Sequence, residues 1–245
     1  MKIEFESFVF NITLIPLVAF LCLLPLFISL GFWQLGRAEE KQALLNIQNK
    51  RLHQAAIPMT SDIKGDIDLL CYRKVKLTGQ YDVAHQFLVD NQVVEGRAGY
   101  FIMTPFLFDH QDKAVLVNRG WLPQNPDRSI LPEVTIQTLK QTISGYIDRF
   151  PSVGLLLEGA EIPSEGWPSV VQVVEGQAIA KKLQYPVFEF QIRLDKEMAD
   201  GYGRDWKSTM TMMPPEKHLA YAFQWFALAF TLVILFIWPN IKNKN

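Results

Sequence analysis

The chain has 245 residues, enough for one folded domain with membrane segments but too few for two large domains. Its 24 lysines and arginines nearly balance 25 aspartates and glutamates. This excludes the basic excess typical of a nucleic-acid-binding protein, so nucleic acid is not an expected partner. The only two cysteines, Cys22 and Cys71, lie in segments of different character, so we expect no internal disulfide.

The first apolar segment, residues 7–36, carries no charge and exceeds the roughly 20 residues that a membrane-spanning helix needs. Its two prolines are compatible with this, because membrane helices tolerate proline where neighbouring groups satisfy the freed carbonyls. A cleaved signal peptide is the alternative, but the run is too long and no small-residue cleavage site follows it. We predict a cytoplasmic N-terminus at residues 1–8 and a transmembrane helix at residues 9–35.

The region after this helix, residues 36–217, is predicted to be one extracytoplasmic domain. Residues 37–56 have the pattern of a helix that leaves the membrane. Residues 175–184 have the pattern of a short helix, and Pro105 favours an edge or a bulge in its strand. Alternating apolar and polar residues mark strand-like segments at residues 73–81, 86–90, 100–104, 114–118, 142–148, 170–174 and 188–194. The domain is therefore expected to be β-rich, with about seven strands and peripheral helices.

The second apolar segment lies between Lys217 and Lys242 and again contains no charge. We predict a transmembrane helix at residues 218–239 and a cytoplasmic tail at residues 240–245, so the fold class is membrane α+β. Lysines after this helix favour a cytoplasmic C-terminus, whereas basic residues on the domain side argue the other way. Long domains cross the membrane largely regardless of charge, so we expect the domain outside the cytoplasm.

No catalytic residues are expected, because the motifs of nucleotide-binding loops, zinc proteases and serine hydrolases are all missing from the sequence. The most informative region is the membrane surface at which the first helix ends and the second begins. Trp33, Arg37 and Lys41 are spaced by four residues and share one face of the first helix. The predicted topology places this face close to the start of the second helix.

On the second helix, His218, Tyr221, Ala222 and Trp225 share one face. A histidine beside small and aromatic residues suits a planar macrocycle, because imidazole can ligate haem iron and small residues leave room for a flat ring. In this interpretation, Trp33, Tyr221 and Trp225 wall the ring. Arg37 and Lys41 on the first helix neutralise its propionates.

Two other interpretations of these residues remain open. Aromatic belts and extended basic side chains are common at membrane surfaces, and small residues often serve only helix packing. A copper site is the third possibility, because Met210, Met212 and Met213 precede the helix and thioethers bind Cu(I).

In the domain, Arg119 and Trp121 follow a predicted strand at a sharp exit formed by Gly120 and Pro123. Arginine and tryptophan are enriched at interface hot spots, so these two residues are candidates for partner docking. The alternative is that Trp121 covers the core and Arg119 pairs with a nearby acid.

Short motifs in a specific order resemble the Surfeit locus protein 1 family, the assembly factors of haem–copper cytochrome c oxidase. Two departures from the family pattern are Ala98 in place of a proline and Lys217 in place of an asparagine. The matching motifs are Trp33-Gln34-x-x-Arg37-x-x-x-Lys41, Gly79-Gln80-Tyr81, Gly96-x-x-Gly99-Tyr100, Thr104-Pro105, Val117-Asn118-Arg119-Gly120-Trp121-Leu122-Pro123, Gly145 and His218-Leu219-x-Tyr221-Ala222-x-Gln224-Trp225-Phe226.

The resemblance implies a non-enzymatic protein of the bacterial inner membrane, with its domain facing the periplasm. It implies a role in maturing the catalytic subunit of the oxidase, with transient haem a as cofactor and haem a synthase as a further partner. His218 stands at the position of the candidate haem ligand. A scaffold that stabilises an oxidase assembly intermediate without any cofactor is the alternative function.

Overall fold

The structure is a computed structural model and describes residues 2–4, 8–11, 13–60, 62–63, 65–109, 113–152, 158–206 and 213–243. It divides into two compact units. The helical unit comprises residues 1–47 and 211–245, and the β domain comprises residues 48–210.

Strands and helices follow one another along the described parts of the chain. In chain order they are β1 (Lys2–Glu4), β2 (Phe8–Asn11), α1 (Leu14–Leu52), β3 (Ile57–Pro58), α2 (Ile67–Leu70), β4 (Lys74–Tyr81), β5 (Phe87–Val94), β6 (Arg97–Phe108), β7 (Ala114–Pro123), β8 (Lys140–Asp148), β9 (Ser169–Val171), α3 (Gly176–Leu183), β10 (Val187–Leu194), α4 (Pro215–Ile237), a 3₁₀ turn (Trp238–Asn240) and β11 (Ile241–Asn243).

Two long apolar helices, α1 and α4, form most of the helical unit, and both are long and apolar enough to cross a bilayer. Pro25 lies inside α1, whereas Pro215 occupies the first turn of α4, where its missing N–H removes no helical hydrogen bond. The helix predicted for residues 37–56 is the continuation of α1, which runs without interruption to Leu52. The last turn of α1, from Gln48 onwards, belongs to the β domain.

Short strands at the two chain ends form a three-stranded sheet in the helical unit, in the order β1-β2-β11. Both pairings are antiparallel, and Ile241 of β11 aligns with Phe10 of β2. This ladder brings the two chain ends together. The placement of both termini on the same side of a membrane stays a prediction.

The β domain contains one mixed sheet of eight strands in the order β3-β4-β8-β10-β7-β6-β5-β9, with an additional β4–β6 pairing. That pairing closes β4, β8, β10, β7 and β6 into a barrel. Among the described pairings of the barrel, only β10–β7 is parallel. Closure leaves no unpaired edge along the joined parts of β4 and β6. The predicted architecture, two apolar helices near the chain ends with a β-rich domain between them, is confirmed.

Pro105 lies in the middle of β6, a strand with neighbours on both sides, rather than in an edge strand. On one side, β6 pairs with β5 up to Met103 and with β4 from Phe106 onwards. Pro105 occupies the gap in which β6 changes partner. Its missing N–H therefore interrupts no ladder, which is why proline is tolerated at this position.

Two large apolar clusters stabilise the β domain. The first fills the barrel and receives side chains from all five barrel strands, among them Leu77, Phe106, Val117, Ile143 and Ile192. The second lies on the other face of the sheet, where α3 and Trp206 cover it, and it includes Val171 of β9. Because both clusters use β6, β7, β8 and β10, those strands are buried on both faces.

Cys71 provides a test of how firmly the β domain is closed. Its side chain is 5% exposed, and burial, with the nearby Asp148 as the second cause, raises the pKa of the thiol to about 11. Since only the thiolate reacts, we expect the folded protein to be alkylated at pH 7 more than about 100-fold more slowly than an exposed thiol of pKa near 8.5.

The measurement is iodoacetamide labelling of the full-length Cys22→Ser protein in detergent, with and without urea. Urea is expected to abolish the protection of Cys71. Equal labelling rates in the folded and the urea-unfolded protein would show that Cys71 is not held inside the domain.

Candidate functional site

The helices of the helical unit approach each other at small residues. Gly31 of α1 is buried, and a Cβ added there would lie 2.6 Å from the ring of Phe226 on α4. Ala38 on α1 and Ala222 and Ala229 on α4 are further small residues that are buried. Small residues let two helix backbones come close, which is the usual basis of helix packing in a bilayer.

Aromatic rings fill the remaining length of this interface. Phe20 stacks on Phe236 with ring centroids 4.2 Å apart, and Phe27 lies 5.8 Å from Trp225. As the residue number rises along α1, its partner on α4 lies progressively nearer the start of that helix. The two helices therefore pack antiparallel, as two consecutive membrane spans do.

One polar pair lies within this packing. His218 Nδ1 is 2.7 Å from Oε1 of Gln34, and the two residues are only 6% and 8% exposed. An amide oxygen only accepts hydrogen bonds, so Nδ1 carries a hydrogen and donates it. In a neutral imidazole, Nε2 then has the free lone pair that a metal requires. The chemistry of the pair thus fits an iron ligand whose second nitrogen is held by the protein.

Sequence reasoning did not include Gln34 in the site. It chose the face of Trp33, whereas the structure buries the neighbouring face of Gly31 and Gln34. A signal was available, because Gln34 is an amide side chain inside a helical segment without charge. Polar groups at such positions are costly and mark functional contacts.

The aromatic residues predicted to wall a ring lie in different environments. Trp33 is 57% exposed and Tyr221 is 44% exposed, so both lie on the surface of the helical unit. Trp225 is half-buried against Phe27. The structure thus brings Trp225 into the helix interface with His218, while Trp33 and Tyr221 present their rings to the surroundings.

The basic residues predicted to meet propionates lie near the end of the apolar part of α1. Arg37 Nη1 donates to Glu40 Oε2 at 2.6 Å, and their side chains are 41% and 53% exposed. Lys41 is half-buried. An exposed ion pair of this kind contributes about 1 kcal/mol or less, so Arg37 can exchange Glu40 for another anion at little cost. Propionate binding stays a prediction.

Arg119, predicted at a docking surface, lies inside the β domain and is 0% exposed. Its Nη1 donates to Gln86 Oε1 at 2.8 Å, and its Nε donates to the Asp200 carbonyl at 2.7 Å. A third donor, Nη2, reaches the carbonyl of Thr135, and the Tyr202 ring lies 5.1 Å away. Burial lowers the pKa of the guanidinium, but arginine keeps its charge in proteins. Its contacts join three separate segments of the domain.

Trp121 is half-buried at the end of the same strand. Its indole Nε1 donates to the Gln92 carbonyl at 2.9 Å, and its backbone exchanges two hydrogen bonds with Gly203. Gly120, which stands between Arg119 and Trp121 in the sequence, has a φ of +115°. A Cβ added there would lie 2.7 Å from the Gly203 carbonyl oxygen. The docking prediction stays open for Trp121, whereas the burial of Arg119 keeps that side chain away from any surface.

Most of the residues predicted to bind copper lie outside the part of the chain that the structure describes. These are Met210 and Met212, whereas Met213 is half-buried just before α4.

Comparison with known proteins decides the family. A model of the SURF1 family matches residues 21–230, a span that includes His218, Gln34 and the whole β domain. The chain belongs to the SURF1 family. Membership confirms the resemblance of the motifs and the expectation of a non-enzymatic protein.

Bacterial relatives resemble this SURF1 family member over most of its length. A SURF1-like protein of Rickettsia felis is 28% identical over 221 residues, which cover 86% of this chain and 90% of the relative. A SURF1-like protein of Rickettsia conorii is 28% identical over 224 residues, covering 86% and 85%. The cytochrome oxidase assembly protein SHY1 of Saccharomyces cerevisiae is 33% identical over 99 residues, covering 39% of this chain and 25% of its own.

Gly79 and Gly145, two motif glycines of this SURF1 family member, lie where neighbouring strands approach closely. A Cβ added at Gly79 would overlap the Leu107 carbonyl oxygen, and one added at Gly145 would lie 2.7 Å from Ile192 Cγ2. These motif positions therefore preserve the barrel rather than a chemical site.

Proposed function

We propose that this chain is a membrane-bound assembly factor for a haem–copper cytochrome c oxidase, and that it holds haem a through His218. The SURF1 family and the oxidase-assembly name of the yeast relative support the assembly role. The observation that carries the haem assignment is the buried His218, whose Nδ1 is engaged by Gln34 at 2.7 Å. The catalytic subunit of the oxidase is the proposed recipient, and haem a synthase is the proposed source.

Each residue of the site has a distinct proposed role. Haem a, if bound, would supply an iron that takes a nitrogen ligand, and His218 would offer Nε2 for it. Trp33 and Tyr221 present exposed rings at the membrane surface, where they can cover a flat macrocycle. Arg37 is the better partner for a carboxylate because its guanidinium forms two parallel hydrogen bonds, and Lys41 adds a point charge.

We place the β domain on the periplasmic face of a bacterial inner membrane. Two helices with long apolar stretches and a long domain between them support this arrangement, since such domains cross the membrane largely regardless of charge. Lysine labelling of intact spheroplasts with a membrane-impermeant reagent tests the side. If the β-domain lysines were labelled only after the membrane is broken, the β domain would lie on the cytoplasmic side instead.

The test of haem binding is a reduced-minus-oxidised absorption spectrum of the full chain, purified in detergent from cells that also make haem a. We expect a haem a spectrum in the wild-type protein. His218→Ala removes the proposed iron ligand, and we expect it to lower haem affinity about 100-fold or more, since even the loss of a group that supports a ligand costs 10–100-fold. The measurement is the ratio of haem a to protein.

Two further variants control this test. His53→Ala removes an exposed histidine that directly follows α1 and is expected to keep the wild-type spectrum. His218→Met replaces imidazole by a thioether, and a shifted band would identify residue 218 as a direct ligand. A wild-type protein without haem, from cells that demonstrably contain haem a, would contradict the haem assignment.

A cofactor-free scaffold is the second candidate function. The observation that favours it is the close approach of Gly31 to Phe226, which suits two helices that pack tightly for their own sake. In that case Ala222→Leu, which adds bulk to a buried position, impairs oxidase assembly more than His218→Ala does. A larger effect of His218→Ala would favour the haem proposal.

A further inference from the structure

Gln34 and His218 are 184 positions apart in sequence, yet their side chains meet at 2.7 Å. Both are buried, at 8% and 6% exposure. Gln34 comes from α1 and His218 from α4, so the hydrogen bond joins the two apolar helices. It also constrains the imidazole ring, because one of its two nitrogens is engaged.

The bond selects one protonation form of the ring. A neutral imidazole has a single N–H, which either nitrogen can carry. The Gln34 oxygen accepts from Nδ1, so the hydrogen is held there and Nε2 has the lone pair. Both side chains are buried, so water does not compete for these positions. The choice between the two nitrogens therefore rests on Gln34.

Helix association alone gives little reason for such a pair. At other levels α1 and α4 meet through apolar groups, such as Phe20 with Phe236 and Gly31 with Phe226. Hydrogen bonds between membrane helices contribute little on average to helix association. Burying an imidazole and an amide for so small a gain suggests that the ring is held for a purpose other than packing.

We infer that Gln34 is a positioning residue that fixes His218 as the Nδ1–H form and directs its Nε2 lone pair to the iron. This rests on the proposed function of His218 as a haem ligand. Metal-ligating histidines commonly donate their second N–H to a fixed acceptor, which sets ring orientation and raises ligand basicity. Gln34 supplies that acceptor from the opposite helix.

The first test needs no haem. The full chain in detergent is labelled with ¹⁵N-histidine, and the resonances of His218 are identified by their loss in His218→Ala. We expect the Nδ1–H form in the wild type and a shift towards the Nε2–H form in Gln34→Leu, which has no acceptor. Gln42→Leu, a change of an exposed glutamine on the same helix, is expected to leave the His218 resonances unchanged.

The second test uses protein loaded with haem a. Gln34→Leu is expected to lower haem affinity 10–100-fold and to shift the reduced spectrum. Gln34→Glu restores an acceptor and is expected to recover binding. Its carboxylate makes the imidazole a stronger donor to the iron, so the reduction potential should fall below that of the wild type.

The outcomes distinguish the positioning role of Gln34 from the proposed haem binding by His218. A wild-type His218 in the Nε2–H form, or an Nδ1–H form that survives Gln34→Leu, overturns the role of Gln34 whatever binds to the protein. If the resonances respond to Gln34→Leu as expected but no sample contains haem, the positioning contact is supported and the proposed haem function is overturned.

Discussion

Arg119→Ala is expected to lower the free energy of unfolding of the β domain by about 4 kcal/mol, which is at the upper end of single-substitution effects. The substitution removes the donors to Gln86 Oε1 and to the carbonyls of Asp200 and Thr135. Buried acceptors that lose their donor cost about 1–3 kcal/mol each, and the truncation also leaves a cavity. Because whole domains are stable by only about 5–15 kcal/mol, this loss removes a large share of the stability of the β domain.

The measurement is the urea midpoint for alkylation of Cys71 in the full-length Cys22→Ser protein. Arg119→Lys keeps the charge but not the planar set of donors, and it should recover only part of the loss. Arg128→Ala serves as the matched control, because its side chain is 65% exposed, and we expect a change within about 0.5 kcal/mol. Equal midpoints for Arg119→Ala and Arg128→Ala would rule out a structural role for the Arg119 cluster.

Gly79→Ala is expected to prevent closure of the barrel. Gly79 aligns with Phe108 in the β4–β6 pairing that completes the ring of strands. An added Cβ would overlap the Leu107 carbonyl oxygen and lie 2.9 Å from Phe106 Cε1. A backbone oxygen cannot move aside as a side chain can, so β4 and β6 would separate. We expect the free energy of unfolding of the β domain to fall by about 3 kcal/mol or more, which is comparable with the most severe overpacking substitutions.

The loss should appear as rapid alkylation of Cys71 without urea and as early proteolytic cleavage within residues 48–210. Gly96→Asn is the matched control, because Gly96 also belongs to a motif but has open space around its Cβ position. Its φ is +75°, a conformation that asparagine tolerates, and we expect a cost of about 1 kcal/mol or less. A native-like Gly79→Ala protein would show that the β4–β6 contact is dispensable.

The sequence was sufficient to predict most of the fold, because its two strongest signals have a direct physical meaning. Charge-free length predicts membrane helices, and alternation of period two predicts strands. Alternation was misleading in β10, where Gln191 and Arg193 are buried although they stand at the polar positions. Gln191 donates to the Arg149 carbonyl at 2.6 Å, and Arg193 pairs with Asp148 at 2.8 Å. A pattern shows which residues are polar, not whether the second face of a sheet is covered.

The candidate site was predicted less completely. His218 was chosen from its position at the start of a helix, but its partner Gln34 was missed. Neighbouring residues on a helix point about 100° apart, and lipid is as apolar as a packed helix. Hydrophobicity therefore cannot show which side of α1 meets α4. Burial of Arg119 was missed for a different reason, since arginine is almost never fully buried unless paired.

The order of the strands has a consequence for synthesis of the chain. β10 is the last barrel strand in sequence, yet it lies between β7 and β8. From the end of β7 the ribosome must add about 60 residues before β10 begins, which takes on the order of 3–12 s at typical elongation rates. During that interval the nascent chain exposes strand edges that later become fully buried. A holding chaperone that shields β7 and β8 until β10 emerges would therefore raise the yield of folded protein more than one that acts after release.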